Sequence, residues 1–190
     1  MNALTLLKQD HGNVEELFHR FETAEPGDVA ELARVRDLVV QHLSVHASIE
    51  EEGFYPVLRE RLDPDAVATV LEGLEEHHIV KWTLRELEKM APTDDRFVPK
   101  MTVLVESVRH HVEEEENDLF PKVRDAMTVE ELDELGDTLD RLKDAAPTRP
   151  HPRVPDQPPL NILLGLPAAI VDRAMTLGKD AVGRVVRPLG

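Results

Sequence analysis

The chain reads His46-Ala-Ser-Ile-Glu50-Glu51-Glu-Gly-Phe54-Tyr55-Pro56 in its first half and His111-Val-Glu-Glu-Glu115-Glu116-Asn-Asp-Leu119-Phe120-Pro121 in its second. Both share the pattern H-x3-E-E-x3-aromatic-Pro. On an α-helix, residues four apart share a face about one turn apart, so each stretch points an imidazole and a carboxylate the same way. Such a pair chelates a cation. A further repeat lies upstream: adding 66 to Leu4, Leu7, His11, Val14, Phe18 and Phe21 gives Val70, Gly73, His77, Val80, Leu84 and Leu87. The apolar spacing marks each series as the buried seam of an amphipathic helix that carries one histidine. His11 precedes His46 by 35 residues and His77 precedes His111 by 34, so the chain is a duplicated helix pair.

Packing the two halves about a pseudo-twofold axis brings His11, His46, Glu50, His77, His111 and Glu115 to the middle of one bundle. Burying that set without a partner costs about 2–7 kcal/mol for each unpaired neutral group, and a cation removes the cost. Imidazole with carboxylate suits iron, manganese or zinc, and carboxylates able to bridge favour two ions over one. The expected arrangement is two sites with two histidines each and shared carboxylates. A single histidine on an apolar helix face is ordinarily a satisfied core residue. Six candidate ligands in register across two repeats favour metal over that reading.

These motifs resemble the hemerythrin-like HHE cation-binding domains over residues 1 to 125. The shared order is an acidic residue before an early histidine (Asp10-His11), H-x3-E-E ending in aromatic-Pro, a second acidic-His pair (Glu76-His77), and H-x3-E-E again. The resemblance implies an up-down-up-down four-helix bundle. It also implies a non-haem centre of two iron ions, bridged by carboxylates and an oxo or hydroxo species, with His11, His46, Glu50, His77, His111 and Glu115 as ligands. The oxygen-carrying members place a further histidine where this chain has Gly73. That difference implies open coordination positions and room for a small ligand beside Gly73, which suits turnover of peroxide, oxygen or nitric oxide better than reversible oxygen carriage.

Neighbouring residues extend the candidate set. His42, one turn before His46, is a further ligand or an outer hydrogen-bond donor, with the outer role expected. Tyr55 is either a phenolate ligand or donor, or an aromatic cap at the bundle end. Glu51 and Glu116 are alternative ligands or part of a solvated acidic face. His78 and His110 fall out of register.

The expected fold is all-α: helices from about Asn2 to Ala24, from Asp28 to Arg61 with Asp28 and Glu31 as a capping box, from Asp63-Pro64 to Met90, and from Asp95 to Ala126. Pro56 is expected to kink the last turns of the second. A short fifth helix opens at Thr128 and runs to Lys143. The domain organisation is a bundle over 1–126, an accessory helix within 127–146, a proline-rich linker over 147–167 and a basic amphipathic tail helix over 168–190.

Composition bounds the function further. The absence of cysteine excludes disulfides, thiolate-bound clusters and cysteine nucleophiles. The N-terminus lacks a signal-peptide pattern and no stretch is long enough to span a membrane, so a cytoplasmic location is expected. The net charge is −16, and with +3 on residues 147–190 the first 146 residues carry −19, which should repel nucleic acid. The basic tail is expected to dock on the bundle or on a second copy ahead of a membrane surface or partner protein, or to stay disordered until bound.

The leading functional expectation is a di-iron protein handling oxygen or an oxidant, with peroxide decomposition as the activity. The competing readings are a sensor or binder of oxygen, nitric oxide or iron without turnover, a metal-free structural bundle, and a bis-histidine haem bundle in which the repeated glutamates would lack a role.

Overall fold

The computed structural model describes residues 1–25 and 27–153. Its helices are α1 (Ala3–Thr23), α2 (Val29–Ile49), α3 (Tyr55–Arg61), α4 (Pro64–Leu87), α5 (Phe97–Glu114), α6 (Phe120–Ala126) and α7 (Val129–Ala145). Wide π-helical turns over Glu50–Phe54 and Glu115–Leu119 join α2 to α3 and α5 to α6. The bundle therefore has four arms: α1, α2 with α3, α4, and α5 with α6, while α7 packs across α1, α2 and the first π turn. The described residues contain no strand. The tail helix expected over 168–190, and the linker beyond 153, lie outside the described residues.

Polar side chains set the helix starts. Asn2, Asp63 and Thr128 each accept a backbone N–H of the first turn of α1, α4 and α7, contributing about 1 kcal/mol apiece. At Thr128 the capping box is complete, because Glu131 reaches back to the Thr128 N–H at 2.9 Å. At Asp28 only half of the expected box forms: Asp28 accepts from Glu31 N at 3.0 Å, but the Glu31 carboxylate is taken by Arg20 at 2.6 Å. The third arm ends at Leu87 rather than Met90, and the fourth begins at Phe97 rather than Asp95, after a turn in which Asp94 accepts from Arg96 N.

The π turns correct the expectation of a simple proline kink. Pro56 and Pro121 have no N–H and would clash with the carbonyl four residues earlier in a continuous α-helix. Instead the chain widens just before each proline, and the N–H groups of Tyr55 and Phe120 bond the carbonyls of Glu50 and Glu115, five residues back. The H-x3-E pairs precede the widening and keep their α spacing. The segments beyond it, α3 and α6, are rotated relative to an uninterrupted helix.

Both seams are buried, and the core divides into layers along the bundle. One apolar cluster contains Leu4, Leu7, Ile49, Phe54, Val70, Leu74, Phe120 and the inner face of α7. The other contains Val14, Phe18, Val39, Leu43, Val80, Leu84, Leu104 and Val108. His11, His46, His77 and His111 stand between Leu7 and Val14, Leu43 and Ile49, Leu74 and Val80, and Val108 and Leu119 respectively. A polar layer is thus sealed between two hydrophobic ones. Docking of α7 depends on close backbone approach, since a Cβ on Gly136 would overlap the Met1 carbonyl oxygen and one on Gly53 would meet Leu139 at 2.6 Å.

Candidate metal centre

The six candidate ligands converge in the polar layer, all of them at most 6% exposed. Glu50 Oε2 lies 3.3 Å from Nε2 of His46 on its own arm and 3.2 Å from Nε2 of His77. Glu115 Oε2 lies 3.7 Å from Nε2 of His111 and 3.4 Å from Nε2 of His11. Two sets of potential ligand atoms result: His11, His46, Glu50 and Glu115 form one, and Glu50, His77 and His111 the other, with Glu50 in both.

This donor set fits metal ions. Nε2 of His11, both ring nitrogens of His46, both oxygens of Glu50 and Oε2 of Glu115 are buried with no hydrogen-bond partner, an arrangement that native interiors avoid. His77 Nε2 and His111 Nε2 face each other at 3.2 Å. Ligand atoms each 2.0–2.1 Å from one cation sit roughly 3.0–3.4 Å apart, so most of these separations match the bite of a shared ion. They leave no room for a porphyrin between the histidines.

Protonation shows the same strain. Burial, reinforced by Glu115, pushes the Glu50 carboxyl well above the usual range. Burial also pushes Glu115 up, but His111, His11 and His46 together outweigh it and hold that carboxyl below the usual range. Burial disfavours charge on His11 and His111, yet the carboxylates around each prevail and raise both. His46 is driven well down, by burial first and then by the other histidines.

A carboxylate faces the far side of each imidazole. His11 Nδ1 lies 2.8 Å from Glu116 Oε1, His77 Nδ1 3.2 Å from Glu51 Oε1, His111 Nδ1 2.7 Å from Glu76 Oε2, and His46 Nδ1 4.0 Å from Asp10 Oδ2. For His11, His77 and His111, an N–H at Nδ1 donating to these oxygens leaves the Nε2 lone pair aimed at the centre, which is how metal-bound histidines are oriented; at 4.0 Å Asp10 faces His46 without a hydrogen bond. The duplicated sequence explains the wiring. The acid before each seam histidine serves the next arm's H-x3-E histidine, and the second glutamate of each E-E pair serves a seam histidine. Lys8 holds Glu116 at 2.8 Å, Lys81 holds Glu51 at 2.9 Å, and Lys143 holds Asp10. Glu51, buried, is therefore an outer partner of His77, and Glu116, partly exposed, an outer partner of His11. Substituting Glu116→Gln is expected to weaken metal affinity by about 10–100-fold with the helix content unchanged, measured by chelator competition and circular dichroism.

Tyr55 corrects the expectation at Gly73. The phenol is 1% exposed and donates to Glu115 Oε1 at 2.9 Å. A Cβ on Gly73 would stand 3.1 Å from the Tyr55 hydroxyl and 3.3 Å from His111 Cε1. The space beside Gly73 is thus filled by tyrosine. Burial and then the nearby carboxylates push the phenol's pKa well up, so it is a donor. Room for a small ligand lies elsewhere: a cavity of about 20 Å³ touches all four histidines and is walled by Val14, Leu43, Ala47, Val80, Val108 and Val112, large enough for about one water.

The structure does not bring His42 to the centre. It lines an outer recess with Asp10 and Lys143, where burial lowers its pKa. Sequence reasoning missed Asp10 and Glu76 as histidine partners, although the repeated acidic-His dipeptides carried the signal, and it missed the three lysines entirely. It also passed over a third grouping, Glu76, His110 and Glu114, at the surface. No helix among the described residues is long and apolar enough to cross a membrane.

Comparison with known proteins agrees with the geometry. The family model of the hemerythrin HHE cation-binding domain matches residues 2–123. An uncharacterized hemerythrin-like protein of Schizosaccharomyces pombe is 28% identical over 165 residues, covering 87% of this chain and 80% of that one. A DNA nickase of Nostoc sp. is 25% identical over 134 residues, 70% of this chain but 37% of its own length. A crystal structure of a hemerythrin HHE cation-binding domain-containing protein from Mycobacterium kansasii superposes with a TM-score of 0.65 at 23% identity, covering 76% of this chain and 86% of that one. With four helical arms, a histidine–glutamate layer of this order and a family match across most of its length, the chain belongs to the hemerythrin HHE cation-binding domain family.

Proposed function

We propose that this protein holds two iron ions and handles oxygen or oxidants, with peroxide decomposition as its activity. One ion is held by His11 and His46, the other by His77 and His111, and Glu50 and Glu115 are shared. The observation that carries this reading is the set of buried, unpartnered atoms of His11, His46, Glu50 and Glu115 in the polar layer, with Nε2 of His77 at 3.2 Å from both Glu50 Oε2 and His111 Nε2. Bound iron supplies one-electron redox chemistry and a vacant coordination position.

The chain's own residues supply the rest. Tyr55 occupies Oε1 of Glu115 and leaves Oε2 turned toward His11 and His111. The valine-walled cavity admits a small ligand to the histidine face and excludes bulk water. Converting two peroxides to two waters and one dioxygen needs no outside electron donor, which suits a chain without cysteine. Nucleic acid is not expected as a partner, because the charge of −19 over residues 1–146 repels a polyanion; the nicking activity named for the Nostoc protein is not carried over. A cytoplasmic location and tail contacts with a protein or membrane complete the proposal.

The test is elemental analysis and an absorption spectrum of protein expressed with iron, followed by dioxygen release from peroxide. About two irons per chain with near-ultraviolet oxo-to-iron bands, and dioxygen release above that of free iron, are expected. Zinc or no metal overturns the di-iron reading. Iron without dioxygen release overturns the peroxide activity and favours binding or sensing of oxygen or nitric oxide.

A further inference from the structure

The geometry points to the groove between α1 and α5 as the entrance by which small neutral ligands reach the metal layer, with Val14, Val108 and Val112 as its inner gate and Gly12 keeping it open. This inference rests on the proposed di-iron reading and names the route to that site.

The two helices face each other across a groove of about 440 Å³ whose lining includes His11, Gly12, Val14, Val108 and Val112. The small cavity on the four histidines shares His11 and those three valines with the groove. The valines are therefore the partition between solvent-facing groove and metal layer, and a shift of their short side chains joins the two. At the duplicate position the helices are closer, since α2 and α4, the pseudo-equivalents of α5 and α1, pack directly against each other.

Gly12 is the residue that packing does not explain. A glycine inside a helix costs about 1 kcal/mol relative to alanine. A Cβ at this position would meet no heavy atom within 4 Å, so nothing in the fold requires its absence. A larger side chain here would instead fill the groove beside His11. The duplicate of Gly12, 66 residues on, is His78.

The rim selects by charge. Arg109 is spent on Glu15 and Glu22, both at 2.7 Å, and Lys8 on Glu116 at 2.8 Å. Glu113 leaves an acidic surplus, and Val14 and Phe18 provide an apolar floor. Anions are repelled here, whereas a neutral diatomic or peroxide is not.

The experiment is stopped-flow association of nitric oxide with the iron(II)-loaded full-length protein and its Gly12→Leu and Val112→Ala variants. Gly12→Leu is expected to slow association and dissociation together by about ten-fold, and Val112→Ala to speed both several-fold, as a gate acts. Iron content should stay at the wild-type value in both variants, and equilibrium affinity in Gly12→Leu, whose side chain lies outside the inner cavity. Azide association should rise with salt, because screening relieves the acidic rim. Unchanged nitric oxide rates in both variants, with wild-type iron content, would overturn the entrance while leaving the centre intact. Azide association that falls with salt overturns the selection against anions. Wild-type protein that loads no iron overturns the di-iron reading and this route with it, and the metal analysis distinguishes that failure from the others.

Discussion

Glu50→Gln is expected to abolish metal loading at both of the proposed sites while leaving the metal-free fold at least as stable as wild type. Glu50 is 0% exposed, both of its oxygens lack partners, and it belongs to both ligand sets. Its Oε2 stands 3.3 Å from His46 Nε2 and 3.2 Å from His77 Nε2, so an amide there presents either an uncharged oxygen or an N–H where a cation belongs. Without metal the argument reverses, because a buried carboxyl already pushed well up by burial and by Glu115 loses little when replaced by a neutral isostere. Metal in excess stabilises a folded state by about 4 kcal/mol at a thousand times its dissociation constant, and the variant should lose that gain entirely. Thermal melts with and without added iron, alongside elemental analysis, read both halves. Full metal content with a wild-type rise in Tm would show that Glu50 is not shared.

The second large effect is at Gly73. Gly73→His is expected to destabilise the fold by about 3 kcal/mol through overpacking, because even a Cβ there presses on the Tyr55 hydroxyl and His111. Tyr55→Ala alone is also expected to cost about 3–5 kcal/mol, from the cavity it leaves, and it strips Glu115 Oε1 of its donor. Combined, the two changes should cost less than their sum by about 2 kcal/mol, since the imidazole then occupies space the phenol has vacated. Urea titrations of the four proteins measure this coupling. Strict additivity would mean that the two side chains do not compete for one volume, and that the oxygen carriers' histidine is absent for some reason other than Tyr55.

Much of this protein is local arithmetic. The 3-4 spacing around His11 and His77 determines two amphipathic helices with a histidine on the buried seam. The i, i+4 spacing of His46 with Glu50 and His111 with Glu115 determines the chelating pairs, whatever the rest of the chain does. Duplication then determines that the pairs meet, because the two helices of each half leave part of their seams uncovered until the other half closes on them. The helix starts at Asp63 and Thr128 were equally legible, since a cap is a contact across three or four residues.

Other features required the folded chain. In a continuous α-helix Tyr55, nine residues after His46, would lie about half a turn away from it. The π turn that Pro56 enforces swings it back over the centre and into the volume Gly73 leaves. Glu51 and Glu116 look like spare ligands in sequence, but their partners His77 and His11 are 26 and 105 residues distant. Only packing of α4 and α1 against the π turns decides that each carboxylate meets the outer nitrogen of an imidazole. The sequence by itself determined which side chains must share a buried layer, because periodicity acts through neighbouring turns. The tertiary structure decided which atom of each faces which, because that depends on helix rotations set by contacts between residues far apart in the chain.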